Sequence, residues 1–223
     1  MLFDRFDRIR IVSLPNRVDR RREMAWQLRK VGLENDPRVE FFDALRMDDP
    51  GPFLKAGSHG CFLSHLQILR ESAGANKSVL ILQDDCDFLP GIAEYELPKC
   101  DVFYGGYSLI HPGNPHDSDI IGAHFMGFSA EAARKAVQYL QDYLSPTFQP
   151  DKRASEQPDF NPRLRPPIDG AFVWFRRAHP ELKTEFAMLS RQRSSKSDVS
   201  PGWADNVPAL RQLLAIGRRL VRR

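Results

Sequence analysis

Val79-Leu80-Ile81-Leu82 runs without a break into Gln83-Asp84-Asp85-Cys86-Asp87, and this junction decides the reading of the chain. Four consecutive aliphatic residues leave no face for water, the pattern of a central strand covered on both sides. Such strands belong to sheets held between helix layers, where ligands bind beyond the carboxyl ends of the strands. The three carboxylates therefore stand where a ligand site is expected.

Outward from that strand, apolar runs alternate with helical periodicity. Ile9, Ile11, Val12 and Leu14 read as a buried first strand ended by Pro15-Asn16. Asn16 is expected to cap a helix running to about Lys30, with Met24, Leu28 and Val31 on its apolar face and Gly32 as its stop. Val39–Phe42 gives a second strand ending at Asp43. Ser58 is expected to cap the next helix, on which Leu63, Leu66, Leu69 and Ala73 share a face before Gly74. Val102-Phe103-Tyr104 is a further strand, followed by a His-, Pro-, Gly- and Asp-rich loop from His111 to Asp119. Phe125–Phe128 reads as a strand feeding a helix capped by Ser129, whose core positions are Ala132, Ala133, Ala136, Val137 and Leu140. Six prolines between Pro146 and Pro167 are expected to exclude regular helix and mark a long surface loop. Asp169 then opens the apolar segment Ala171–Phe175. The pattern predicts an α/β fold in one domain, with a mostly parallel central sheet flanked by helices.

Composition narrows the function classes. At 223 residues, 42% hydrophobic and 27% charged, the chain has the make-up of an ordinary globular domain with a sizeable core. No apolar stretch is long enough for a transmembrane helix. The charged start Met1–Arg8 lacks a secretory apolar segment, so a cytoplasmic location is expected. Cys61, Cys86 and Cys100 fit neither a zinc motif nor a disulfide framework, and reduced thiols are expected. The formal charge is +3, yet Arg211, Arg218, Arg219, Arg222 and Arg223 lie in the last sixteen residues without an acid; taking those five from +3 leaves −2. A net basic excess confined to one end, with no aromatic stacking platform, speaks against nucleic acid as a partner.

Three carboxylates within four residues repel one another unless a counter-charge is present. A hard divalent cation such as Mn²⁺ or Mg²⁺ supplies one, and it can bridge the phosphates of a nucleotide diphosphate. Asp85 and Asp87, with one residue between them, have the alternating spacing suited to that task. A solvated acidic turn after a strand is the alternative. A glycosidase pair fits poorly, since its carboxyls must lie on opposite sides of a sugar, at least about 5 Å apart.

The chain resembles glycosyltransferase family 25, the lipopolysaccharide-biosynthesis and collagen β-galactosyltransferase family, from about Ile11 to Val199. The resemblance is carried by I-V-S-L and N-R-V-D-R-R, F-F-D-A at Phe41–Ala44, G-C-F-L-S-H at Gly60–His65, and L-I-L-Q-D-D at Leu80–Asp85. It continues in G-F-S-A-E-A-A at Gly127–Ala133, P-I-D at Pro167–Asp169 and Q-R-S-S-K-S-D-V at Gln192–Val199. It implies a GT-A-like domain over residues 1–190 and an inverting, metal-dependent transfer of a sugar, galactose first, from a UDP-sugar to a lipopolysaccharide or lipooligosaccharide acceptor. It further implies that Arg17, Arg20, Asp43, Ser64, His65, Asp84 and Gln192 serve the donor, and that Asp85 and Asp87 hold Mn²⁺ or Mg²⁺. Asp169 is the candidate base for the acceptor hydroxyl, with capping of its own segment as the other reading. Asp198 matches the family's late element without an assigned role. Gln83 departs from the pattern, because the family places Glu before the paired aspartates. Glutamine keeps an oxygen but loses the charge, which leaves a noncatalytic nucleotide-sugar- or glycan-binding relative as the alternative.

Residues 191–207 read as a flexible linker and residues 208–223 as a basic amphipathic helix, with Leu210, Leu213, Leu214, Leu220 and Val221 on one face. Such a helix suits either an anionic membrane carrying a lipid-linked acceptor or packing against the domain. The first option places the protein peripherally on the inner face of the cytoplasmic membrane.

Overall fold

The computed structural model describes residues 1–110, 112–156 and 160–193. The tail helix expected over 208–223, Asp198, and the linker beyond Arg193 lie outside the described residues. In chain order the strands are β1 Arg8–Ser13, β2 Val39–Asp43, β3 Val79–Gln83, β4 Cys86–Phe88, β5 Val102–Tyr104, β6 Ser108–Leu109, β7 Ile120–Ile121, β8 Phe125–Phe128, β9 Thr184–Phe186 and β10 Ser190–Gln192. The helices are α1 Val18–Lys30, α2 Ala56–Gly74, α3 Ala130–Tyr143, α4 Lys152–Ser155 and α5 Ile168–Ala178. Six strands form the main sheet in the order β2-β1-β3-β8-β5-β9.

The sheet divides its residues between two cores by strand alternation. Val79 and Ile81 of β3 face one core with α2, α3 and α5; Leu80 and Leu82 face the other with Met24 and Leu28 of α1. β8 and β5 alternate in the same way, Met126, Phe128, Val102 and Tyr104 to the first core, Phe125 and Phe103 to the second. Burial on both faces explains why β3 carries no polar residue before Gln83.

The sheet is mostly parallel: β1 pairs parallel with β2 and β3, and β5 with β9. β8 is the exception, running antiparallel to both β3 and β5. Parallel neighbours need a long crossover, usually helical. Among the described residues between β3 and β8 there is no helix, only short strands and turns, so β8 enters from the opposite end.

Two expected helix starts are corrected. α1 begins at Val18 with Arg17 at the cap position, and α2 begins at Ala56 with Lys55 there; neither cap residue makes a side-chain cap bond. Asn16 thus precedes the cap, and Ser58 lies inside the first turn. Ser129 does cap α3, accepting the Ala132 amide at 3.1 Å. The proline-rich stretch, expected to exclude helix, holds among its described residues the four-residue α4, capped by Asp151. Arg165 secures it from within, donating to the carbonyls of Tyr143, Pro162, Ser145 and Phe148. Arg191 and Gln192, expected at the start of the linker, form the end of β10 instead. Among the described residues no helix is long and apolar enough to cross a membrane.

Candidate active site

A cavity of about 700 Å³ opens beyond the carboxyl ends of β1 and β3, the place that sheet topology assigns to ligands. Ser13, Gln83, Asp84 and Asp85 form one side. The chain leaving β2 adds Ala44, Leu45, Arg46, Met47 and Asp48, α2 contributes Ser58 and Cys61, the segment after β7 gives Gly122–His124, and α5 brings Asp169.

Asp84 and Asp85 sit side by side but are held differently. Asp84 is fixed from both oxygens: Ser13 Oγ donates to Oδ2 at 2.7 Å and Arg20 Nη1 to Oδ1 at 2.9 Å. The same guanidinium lies 3.7 Å from Asp85 Oδ2, which also accepts Gln192 Nε2 at 3.2 Å. Asp85 Oδ1 is buried and accepts no hydrogen bond among the described residues. A buried carboxylate sharing one guanidinium with a neighbouring acid is short of positive charge. Burial, only partly opposed by Arg20, lifts the Asp85 pKa from 3.8 to about 6.

Gln192 reaches this point because β10 pairs antiparallel with β4, setting Gln192 opposite Cys86. The Arg193 amide donates to the Asp85 carbonyl at 2.6 Å, which pins the acidic turn. Asp87 is used differently. It accepts Gln27 Nε2 at 2.8 Å and Arg193 Nε at 3.0 Å, and it lies outside the cavity lining. Arg193 also pairs with Glu23.

Asp169 lies in the first turn of α5, with Pro167 at the cap position. Its Oδ1 accepts the Ala123 amide at 2.7 Å, so the carboxyl bonds to the chain after β7 rather than to its own helix. Burial raises its pKa, and the Ala123 and Gly122 amides counter the rise. Cys61 also lines the cavity and accepts Gln83 Nε2 at Sγ, 3.8 Å away. Burial and the negative charges of Asp169, Asp85 and Asp84 push its thiol pKa up, so it stays protonated and a poor nucleophile.

Of the residues expected to serve the site, Arg20, Asp84, Asp85, Asp169 and Gln192 line this cavity together. Arg17, Asp43, Ser64, His65 and Asp87 do not. Arg17 makes a two-pronged bond to Asp19 at 3.0 and 2.9 Å. Asp43 is exposed and paired with Arg21. Ser64 donates to the Gly60 carbonyl at 2.7 Å and accepts the Leu45 amide at 2.9 Å. His65 is wholly buried, bonds the Cys61 carbonyl through Nδ1 at 2.8 Å, and has its pKa lowered by burial. Ser64 and His65 thus support the wall from behind. The sequence reading missed Ser13, Arg46, Asp48, Ser58 and His124 as lining residues. Of these only Ser13 carried a signal, as the last residue of a buried strand beside β3.

In solved structures the chain is similar to a glycosyltransferase involved in the glycosylation of the major capsid of PBCV-1, at 9% identity and TM-score 0.43, over 81% of this chain and 82% of that one. It is also similar to mouse xyloside xylosyltransferase 1, at 15% identity and TM-score 0.41, over 81% and 70%. A third similarity is to CTP:phosphocholine cytidylyltransferase from Streptococcus pneumoniae, at 12% identity and TM-score 0.36, over 93% and 78%. No family model matches the chain, and no curated protein does. These are likenesses of chain path, and no residue role or activity is carried across from them.

Proposed function

We propose that this protein is an inverting glycosyltransferase that moves a sugar from a nucleotide-diphosphate donor to a glycan hydroxyl. The observation that supports the reading best is the meeting of two carboxyls, the buried Asp85 and the half-buried Asp169, from distant parts of the chain in one cavity at the strand ends. The family-25 resemblance extends the proposal to galactose from UDP-galactose and to a lipopolysaccharide or lipid-linked acceptor, with the basic tail meeting the membrane.

The donor set is compatible with Mn²⁺ or Mg²⁺ held jointly with a diphosphate. Among the described residues no three His, Cys, Asp or Glu side chains converge to hold an ion by themselves. Asp85 Oδ1, buried and accepting no hydrogen bond among the described residues, is the oxygen suited to it. Mg²⁺-type sites commonly use one or two carboxylates, substrate phosphates and water. Asp87 joins such a set only if its contacts with Gln27 and Arg193 open. A bound cation supplies charge neutralisation for the departing diphosphate. Arg20 holds Asp84 in place and sets the orientation of the acidic turn. Asp169 takes the proton of the acceptor hydroxyl as its oxygen bonds the anomeric carbon and the bond from that carbon to the diphosphate breaks on the opposite side.

A melting-temperature screen of nucleotide sugars with and without Mn²⁺ tests the donor class, and transfer assays test the chemistry. The reading expects stabilisation by UDP-galactose with Mn²⁺, and transfer lowered about 10²- to 10⁴-fold in Asp169→Asn with donor binding kept. No stabilisation by any nucleotide sugar would reject it. Binding without transfer would leave the noncatalytic alternative.

A further inference from the structure

α5 holds the segment 115–123 at two points, and only one of them is in the cavity. Asp169, near its start, accepts the Ala123 amide. Arg176 is seven residues further on, hence on the same helix face and about 10 Å along the axis. Its Nη1 donates to the carbonyls of Pro115 and His116 at 2.5 and 3.1 Å, and its Nη2 to the Ser118 carbonyl at 3.0 Å. Arg177 adds a bond to Asp119 Oδ1 at 2.8 Å. The gripped residues lead directly into β7, which pairs with β6 through Ser108↔Ile121 and Leu109↔Ile120. β7 in turn runs into Gly122 and Ala123. Gly122 has φ +149, and a Cβ there would come within 2.7 Å of the Gly106 carbonyl oxygen, so the turn delivering the Ala123 amide has little room to shift.

Arg176 is a costly residue for a merely structural tie. It is 7% exposed, has no carboxylate within ion-pair distance among the described residues, and spends both terminal nitrogens on three carbonyls of one segment. Burying a guanidinium costs several kcal/mol unless its hydrogen bonds are well made. Its geometry fixes the path of 115–119 in a way no single bond can.

We propose that Arg176 is a positioning residue for Asp169, acting through the 115–123 segment to keep the Ala123 amide on the carboxylate. This rests on Asp169 as the acceptor base and adds what keeps that base placed and favours its charged form. The other ionisable groups around the cavity are Arg20, Arg46, Asp48, Cys61, Asp84, Asp85 and His124, and Tyr104 also interacts with Asp169 from β5. Of these only His124, which follows Ala123 directly, moves with the segment, and Tyr104 also feels the Arg176 charge, which Arg176→Lys retains.

The test reads the Ala123 amide by NMR in the full chain. Its proton shift should titrate with Asp169, and Asp169→Asn should abolish the titration. In Arg176→Gln the midpoint should rise by about half a unit to one unit as the amide bond weakens, and Ala123 hydrogen exchange should quicken about tenfold. Arg176→Lys keeps the charge but cannot span three carbonyls, so it should behave like the Gln variant. A folded Arg176→Gln protein with unchanged titration and exchange overturns the inference, as does an Arg176→Lys protein indistinguishable from wild type. If Arg176→Gln does not fold, Asp119→Asn, which loosens the same segment from the Arg177 side, is read the same way; an unchanged midpoint there rejects the proposal. If Asp169→Asn abolishes the titration yet transfers sugar normally, the base assignment falls while the positioning contact stands.

Discussion

Replacing Asp85 by Asn should make the metal-free protein more stable at neutral pH, although it removes the group proposed to meet the cation. The folded state raises the Asp85 pKa from 3.8 to about 6. Below about pH 4 the carboxyl is protonated in both folded and unfolded chains, and the group has no effect on stability. Between about 4 and 6 the unfolded chain ionises first, so folding becomes progressively less favourable as pH rises. Above 6 the penalty is complete. A shift of about two units corresponds to roughly 3 kcal/mol at most, at about 1.4 kcal/mol per unit. Asn keeps the side-chain shape and an oxygen for Gln192 but carries no charge. For a chain of this length the difference corresponds to about 6–12 °C in melting temperature at most. The assay is scanning calorimetry of both proteins in chelator from pH 4 to 8. The gap should be near zero at pH 4, open through pH 6 and stay flat beyond. Saturating Mn²⁺ with UDP should raise wild type and leave the variant in place, by ligand linkage. A variant that melts at or below wild type throughout this range, without metal, would refute the claim that Asp85 is a carboxylate short of counter-charge.

Two further substitutions probe the frame around the cavity. Arg20→Met leaves buried Asp84 with Ser13 as its remaining side-chain donor among those described, and should cost about 3–5 kcal/mol in urea unfolding; adding Asp84→Asn should recover part of the loss, and a double variant less stable than the single contradicts the pairing. Gly60→Ala places a Cβ 2.2 Å from the Leu45 carbonyl oxygen. The clash outweighs the helix-propensity gain of about 1 kcal/mol, so a net loss of about 1–3 kcal/mol is expected in the same assay.

Much of the fold was legible because its signals are local. β3 is apolar on both faces and is found between two cores; the Ala132, Ala133, Ala136 and Leu140 spacing of α3 is found buried; Ser129 caps where its side chain predicts. The cap rule failed at Asn16 and Ser58 because it scores residue type, while Arg17 and Lys55 hold the cap positions without side-chain bonds. The released Asn16 and Ser58 line the cavity. The reversal of β8 was not legible, since sequence shows a strand but not the end from which it enters.

Within the site, the strand-end rule located Asp84 and Asp85, but the alternating spacing did not place Asp87 beside them. Residues two apart share a face only within one strand. Here Asp85 belongs to the turn and Asp87 to β4, so the alternation is broken between them. Gln192 and Asp169 were named from the resemblance, and nothing local predicts that β10 returns along β4 or that Asp169 takes its amide from Ala123. Ser64 and His65 matched a motif whose side chains here support Leu45 and Cys61 from behind the wall.

The charges around the cavity argue for how a donor must enter. Arg20 faces both Asp84 and Asp85, so one guanidinium offsets two carboxylates. Arg193 is drawn away by Asp87 and Glu23. Arg46 and Asp48 on the opposite chain offset each other in sign. With Asp85 and Asp169 ionised, a bare nucleotide diphosphate meets net negative charge and is repelled, the more strongly because the walls are of low dielectric. A donor that arrives already complexed with a divalent cation reverses the sign of that encounter. The proposed site therefore favours cation and diphosphate binding together over either alone, and the Asp85 oxygen that accepts no hydrogen bond among the described residues is the point at which their joint charge meets the protein.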